Sequence, residues 1–383
     1  MSDLFKILFF AGSIQSILLA IGLCLRKENS SANKFLIMIL VLFGFNLFKL
    51  FIDESGLYRS FPYLLYSDIS VALLYGPLFF FYVRALTGGK KWSKKDLLHL
   101  IPFVVHLLLY LPVYFLDSET KIKAYESYLA NGFGHSYQPL ITYGMKAVQY
   151  FAYLVLCVSI IKRYKDEIKD YLSNTYRTDL SWLLKLFCVN AGFIVFLFLS
   201  LILHSVRIFT MSHDFSRVSY LWDMVIILIF SIMALKQSPV FHPPEIRIEK
   251  DLPEDPQEKK YGSSRLEKET IDSVMKELLE FMEKEKPYLY PELTVTNLGE
   301  RMSLQRHIIS QVINSGLNEN FYSFINRYRI EEVKKMFGDP AFRNKNILEI
   351  AFLAGFNSKS HFNMSFKKFT GLTPKEFRSK SPL

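Results

Sequence analysis

Near the C-terminus, residues Gly355 to Arg378 read GFNSKSHFNMSFKKFTGLTPKEFR. Lys359, Ser360, His361, Asn363 and Lys367 crowd together here. Such side chains carry the donors and acceptors that pair with base edges and phosphates: Asn with adenine, Lys with guanine or a phosphate oxygen. To act together they must project from one rigid element. The spacing supplies it, because Phe362, Phe366 and Phe369 recur at i, i+4 and i+7, one face of a helix. Ser358 stands where an N-cap is wanted. Gly371 ends the helix, and Thr373-Pro374 opens another with Pro in its first turn. A polar front on an apolar back suits the major groove of DNA. An ordinary amphipathic helix of a soluble domain would carry the same pattern, so the choice rests on what lies upstream.

The chain has 383 residues, half of them hydrophobic, with 35 Phe and 22 Tyr. That is too apolar for one soluble fold and too charged for a wholly membrane-embedded one, so a divided chain of two or three domains is expected. Charge is divided as well. Residues 301–383 carry 14 Lys+Arg against 6 Asp+Glu, a basic balance that fits a polyanionic partner. Cys24, Cys157 and Cys188 lie in apolar runs with neither disulfide nor metal spacing. No cleavable signal peptide is expected: the apolar run Leu4–Leu25 is long for one, and its Arg-Lys pair follows the run.

Seven apolar runs are each long enough to cross a bilayer, at roughly 18–24 residues. They lie near 4–25, 35–52, 69–86, 97–116, 140–161, 180–203 and 219–236. Loops after the first, third and fifth runs hold 12 Lys and Arg, whereas those after the second, fourth and sixth hold 5. This bias places the first set in the cytoplasm, the N-terminus outside and the C-terminus inside. Lys49, Asp68, Lys146, His204, Arg207 and Asp223 fall near the outer ends. Ionisable groups at such depth are snorkelling or interfacial anchors, or else line a ligand pocket. Gly76-Pro77, Pro102 and Pro112 are expected to kink their helices. No HExxH, GxSxG or phosphate-loop pattern occurs, so no catalytic residue, metal or cofactor is assigned and the chain is not expected to be an enzyme.

Prolines mixed with charges at 237–264 read as a cytoplasmic linker. Ser264-x-x-Glu267 then resembles a capping box. Ile271, Val274, Leu278, Phe281 and Met282 form a helical stripe, for packing onto the following domain or for a dimer contact. Thr294 to Met302 and Gln305 to Asn314 have helix-turn-helix spacing, with Arg306, His307, Ser310 and Gln311 free to face out. A long helix from Phe321 to Phe337 leads to a second such arrangement at 347–370. Two units on one 17-residue helix of about 26 Å suit two reading helices one DNA turn apart.

On these residues the stretch 294–378 resembles the DNA-binding domain of the AraC/XylS family of transcriptional regulators. The matching positions are Leu298, Leu304, Ile309-Ser310, Asn314, Asn320-Phe321, Ile325-Asn326, Arg329-Ile330, Ile350-Ala351, Gly355-Phe356, Phe362, Phe366-Lys367-Lys368, Gly371, Thr373-Pro374 and Arg378. The seven-run layout and the stretch Gly76 to Arg84 resemble membrane-bound members of that family from Bacteroidetes-type bacteria. Gln305, Met364 and Gly299 depart from the family's usual Ser, Arg and Ala, and Met364 cannot donate to guanine. The resemblance implies base-facing roles for Arg306, His307, Gln311, Lys359, Ser360, His361 and Asn363. It implies phosphate contacts for Lys367, Lys368 and Thr373.

The expected fold is all-α: a polytopic membrane bundle of seven spans at 1–236, the linker at 237–264, and a soluble domain with two helix-turn-helix units at 265–383. The expected function is a sequence-specific transcriptional regulator held in the cytoplasmic (inner) membrane. Its expected partners are double-stranded DNA, the lipid bilayer, a small-molecule or envelope signal, and a second copy of itself. With a flexible linker, the signal would pass by pairing of protomers more than by a lever. A membrane enzyme or transporter with an appended DNA-binding domain, and a stored factor freed by proteolysis, are the alternatives.

Overall fold

The computed structural model describes residues 2–27, 30–89, 92–131, 138–175, 178–205, 213–237 and 268–380. The chain divides into two compact units, 1–162 with 180–240 and 163–179 with 241–383. The expected linker at 237–264 and the capping box at Ser264 and Glu267 lie outside the described residues, apart from Gln237.

The first unit is built from α1 (Ser2–Leu25), α2 (Ser30–Glu54), α3 (Asp68–Val71), α4 (Tyr75–Leu86), α5 (Ile101–Tyr114), α6 (Ser118–Asn131), most of α7 (Gln138–Glu167), α8 (Ser181–Ser205) and α9 (His213–Lys236). Among the described residues, seven helical stretches are long and apolar enough to cross a membrane, one for each run expected from the sequence. Leu18, Leu109, Val148 and Phe196 stand exposed on them. In water such side chains would be an association liability, whereas hydrocarbon solvates them. The third stretch is broken: a short 3-10 turn, Ala72–Leu74, joins α3 to α4. Pro77 then falls in the first turn of α4, where a backbone N–H has no helical partner to lose.

Polar contacts tie the ends of this unit together. Arg26, just past α1, donates to the Ala234 carbonyl at the end of α9 at 2.9 Å. Arg217 at the start of α9 pairs with Glu54 at the end of α2 at 2.7 Å. The ends of the first and seventh stretches therefore share one face, as an odd number of crossings requires. The helix α6 was not among the expected elements. It packs Tyr125 into a cluster with Ile52, Tyr58 and Leu65. Its apolar residues Ile122, Tyr125, Tyr128 and Leu129 do follow helical spacing.

The second unit holds α10 (Lys268–Glu285), α11 (Val295–Met302), α12 (Arg306–Gln311), α13 (Phe321–Phe337), α14 (Ile347–Leu353), α15 (Lys359–Thr370) and α16 (Pro374–Lys380). It has two cores on one shaft. The N-terminal half of α13 gives Phe321, Phe324 and Ile325 to a core with Leu298, Ile309, Val312 and Ile313. Its C-terminal half gives Ile330, Val333 and Phe337 to a core with Ile350, Ala351, Phe356, Phe362 and Phe366. The stripe on α10 packs onto the first core, with Leu278 and Met282 fully buried.

The segment 163–179, from the last turn of α7 to the start of α8, also belongs to this unit. The boundaries expected from sequence, with the apolar part at 1–236, place it in the other unit. Leu172 forms an antiparallel bridge with Thr294, in which the Val295 N–H donates to the Tyr171 carbonyl at 3.0 Å. Tyr171 and Leu172 are part of the first core. The fully buried Arg329 of α13 donates to the carbonyls of Tyr288 and Tyr290, each at 2.8 Å, and to the Ser173 hydroxyl at 3.2 Å. Asn326 donates to the Ser173 carbonyl at 3.0 Å. A buried guanidinium needs that many acceptors, and this strap supplies part of the set.

Candidate nucleic-acid interface and membrane cavity

The first helix-turn-helix is α11, a turn at Ser303-Leu304, and α12. The Thr294 hydroxyl caps α11 by accepting the Asn297 N–H. Gly299 is fixed by a close approach, because a Cβ there would lie 2.7 Å from the Leu304 carbonyl oxygen. This gives the departure from Ala a steric reason. On α12, Ile309 is buried while His307 is exposed and Ser310 and Gln311 are half-buried. Gln305 does occupy the N-cap position, without a side-chain cap bond. Arg306 is half-buried, and its guanidinium sits 5.9 Å from the ring centre of Tyr171 on the strap.

The second unit is α14, a turn through Gly355, and α15. Asn346 and Glu349 form a capping box at the start of α14. Gly355 has φ +91°, and a Cβ there would meet the Tyr288 carbonyl oxygen at 2.4 Å. On α15, Phe362, Ser365 and Phe366 are buried, while Lys359, Ser360, Asn363, Met364, Lys367 and Lys368 are exposed. The N-cap is Ser358 and the C-cap is Gly371 at φ 73°. Thr373 donates to Glu376 Oε2 at 2.8 Å and accepts the Glu376 N–H, which fixes the start of α16. One expected reader does not face out. His361 is buried, hydrogen-bonded to the Tyr322 hydroxyl at 2.7 Å and set edge-on to Phe356. Burial, aided by the nearby Arg329 charge, pushes its pKa down to about 4. It is a neutral core histidine: in a helix whose apolar stripe runs through 362 and 366, position 361 also borders α13.

The six candidates in the membrane part fall into separate groups. Lys49 pairs with Asp53 at 2.7 Å and with Asp68 at 3.1 Å in a buried cluster. Arg207 lies outside the described residues, as does the side chain of His204. Lys146 and Asp223 line a cavity of about 260 Å³ in the first unit. Its walls include Phe43, Tyr75, Phe79, Tyr143, Tyr150 and Asn190. None of these six is assigned to a site by the sequence alone. They come from four separate stretches of chain, and only a polar residue inside an apolar run, such as Asn190, could have flagged one. Among the described residues, no group of three or more His, Cys, Asp and Glu could hold a metal ion.

Comparison with known proteins finds relatives for part of the second unit. Residues 298–380 match the family described as "Helix-turn-helix domain". Over 95 residues the chain is 30% identical to an uncharacterized HTH-type transcriptional regulator of Staphylococcus aureus (strain COL), covering 25% of this chain and 12% of that protein. Over 89 residues it is 29% identical to the melibiose operon regulatory protein of Escherichia coli (strain K12), covering 23% of this chain and 28% of that one. The chain thus spans about an eighth to just over a quarter of the length of these relatives. A solved structure, of a protein of unknown function from Listeria innocua, aligns at 22% identity and a TM-score of 0.25, covering 28% of this chain and 98% of that one. The C-terminal region is an AraC-type helix-turn-helix domain.

Proposed function

We propose that this protein is a one-component transcriptional regulator anchored in the bacterial cytoplasmic membrane, which reads a DNA operator in answer to a signal received by its membrane part. The observation that carries the reading is α15: Lys359, Ser360, Asn363 and Lys367 stand exposed while Phe362 and Phe366 lock the opposite face into the core. Such a helix can enter the major groove without disturbing its own domain. Arg306, His307 and Gln311 would read bases from α12, and Lys359, Ser360 and Asn363 from α15. Lys367, Lys368 and the start of α16 at Thr373 would hold phosphates, which set register but carry no sequence information. The positive charge of the loops orients the spans with the N-terminus outside and the helix-turn-helix units in the cytoplasm. Two copies on one operator fit this layout, since a membrane anchor raises local concentration.

The test is DNA binding by the full chain in lipid nanodiscs. Affinity should fall steeply between about 50 and 200 mM salt as counterions are released. Gln311→Ala and Lys359→Ala should each relax sequence preference by roughly 1–3 kcal/mol at one operator position, whereas Lys367→Ala should weaken all sequences alike. Salt-independent binding, or three variants that behave identically, would overturn the assignment.

A further inference from the structure

The cavity lined by Lys146 and Asp223 carries an inference about the signal, which rests on the sensing role just proposed. The neutral polar groups on its walls already have protein partners. Gln149 donates to the Leu73 carbonyl at 2.9 Å. Asn46 donates to the Tyr75 hydroxyl at 2.9 Å. The Tyr150 hydroxyl donates to the Phe187 carbonyl and accepts from Asn190, whose own carbonyl oxygen accepts from the Trp222 indole. These bonds hold the wall in place and leave it with little hydrogen-bonding capacity for a guest.

The charges are not balanced in the same way. Lys49 is shared between Asp53 and Asp68. Lys146 acts at longer range on both Asp68 and Asp223, and Lys146 is the charged group that acts on Asp223. Among the described residues, neither Lys146 nor Asp223 makes an ion pair within 4 Å. Two ammonium groups therefore face three carboxylates, and Asp223, at the cavity wall, is the carboxylate without a close counter-ion. Leaving a carboxylate so placed inside an apolar bundle is unfavourable unless a proton or a cation neutralises it, and an aromatic-walled cavity beside it gives room for a cation. The aromatic rings of Phe43, Tyr75, Phe79, Tyr143 and Tyr150 surround the same space, and ring faces attract cations.

The geometry points to a binding site for a small monocationic amine with an apolar body, its ammonium on Asp223 and its body among the aromatic rings. A single positive charge brings the described cluster to neutrality. An anion would add to its excess. A free amine and the amine headgroup of a lipid share this chemistry, and the free amine is the source that an aromatic-walled cavity of this size suits.

The experiment uses the full chain in phosphatidylglycerol nanodiscs. Binding of phenethylamine, 2-phenylethanol and phenylacetate is measured by calorimetry and by thermal shift, and repeated with the n-hexyl amine, alcohol and acid. The amine of each set should bind at least about tenfold more tightly than its alcohol, and the acid most weakly. Asp223→Asn should erase the preference for amine while leaving alcohol binding in place, which shows that the cavity still forms. Asp223→Glu should restore part of it. Repeating the series in phosphatidylethanolamine nanodiscs separates the sources. If that lipid raises the melting temperature through Asp223 and blocks the soluble amines, the ligand is a headgroup amine and the chemistry stands. Equal binding of amine and alcohol, preference for the acid, or amine preference that survives Asp223→Asn overturns the inference. Operator binding measured on the same samples reports separately on the regulator reading, which a failed amine series leaves intact.

Discussion

The two helix-turn-helix units share the shaft α13 but are finished differently. The apolar core of the second draws on α13, α14, α15 and α16 and on none of the strap. The first closes only with Tyr171 and Leu172, which lie more than a hundred residues upstream between the fifth and sixth apolar stretches. The strap also lies beside Arg306, a residue expected to read DNA. One helix-turn-helix unit thus takes a turn contact from the strap, where Asn174 donates to Asn357, and the other has its core completed by chain that leads directly into the apolar helices. The chain reaches the DNA-binding unit by two routes, the 237–267 segment and the strap. In the proposed regulator the strap therefore offers the signal a covalent route to the first helix-turn-helix unit, beside the expected pairing of protomers.

The sharpest way to break this contrast is Leu172→Asp in the full chain. A carboxylate placed in the first core should destabilise it by about 3 kcal/mol or more. Hydrogen exchange should then rise across α11 and α12 and stay unchanged across α14 and α15; equal loss in both would show that the two cores are one cooperative unit. The glycines of the two turns come next. Gly355→Ala meets both a left-handed backbone and a carbonyl at 2.4 Å, so its penalty should exceed that of Gly299→Ala, where a 2.7 Å contact acts by itself. We expect roughly 3 against 1–2 kcal/mol by thermal or chemical denaturation. The reverse order would mean that the first turn is the more rigid.

Acid should separate the units as well. His361 in the second unit is held neutral, its pKa down at about 4 against an ordinary 6.5. Between those values the unfolded chain binds a proton that the folded chain does not. Stability of the second unit should therefore fall as pH drops from 6.5 toward 4, by up to about 1.4 kcal/mol per pH unit. His361→Gln should flatten that slope, and an unchanged slope would place its origin elsewhere. The smallest effect belongs to Ser173→Ala, which removes one of several acceptors from Arg329. A loss of about 1 kcal/mol is expected, with hydrogen exchange rising first at Tyr288 to Val295.

Much of this was legible along the chain. The apolar stripe of Phe362 and Phe366, the cap at Ser358 and the stop at Gly371 are local, since a helix repeats every 3.6 residues and its ends need particular side chains. The seven apolar stretches were equally plain, because spanning hydrocarbon demands length and composition together. His361 was misplaced because its neighbours in sequence say nothing of Tyr322, 39 residues away. For the same reason the six charged positions in the spans looked alike.

By itself, then, the sequence determined the helices, their apolar faces, the two helix-turn-helix repeats and the basic C-terminal surface. Each of these depends on residues a few positions apart. Tertiary structure alone decided that Lys49 is neutralised by Asp53 and Asp68 while Asp223 faces a cavity. It also decided that Ser173 completes the shell of Arg329, 156 residues on. Those outcomes turn on which distant groups share a few ångströms of low-dielectric space, and packing fixes that where periodicity does not.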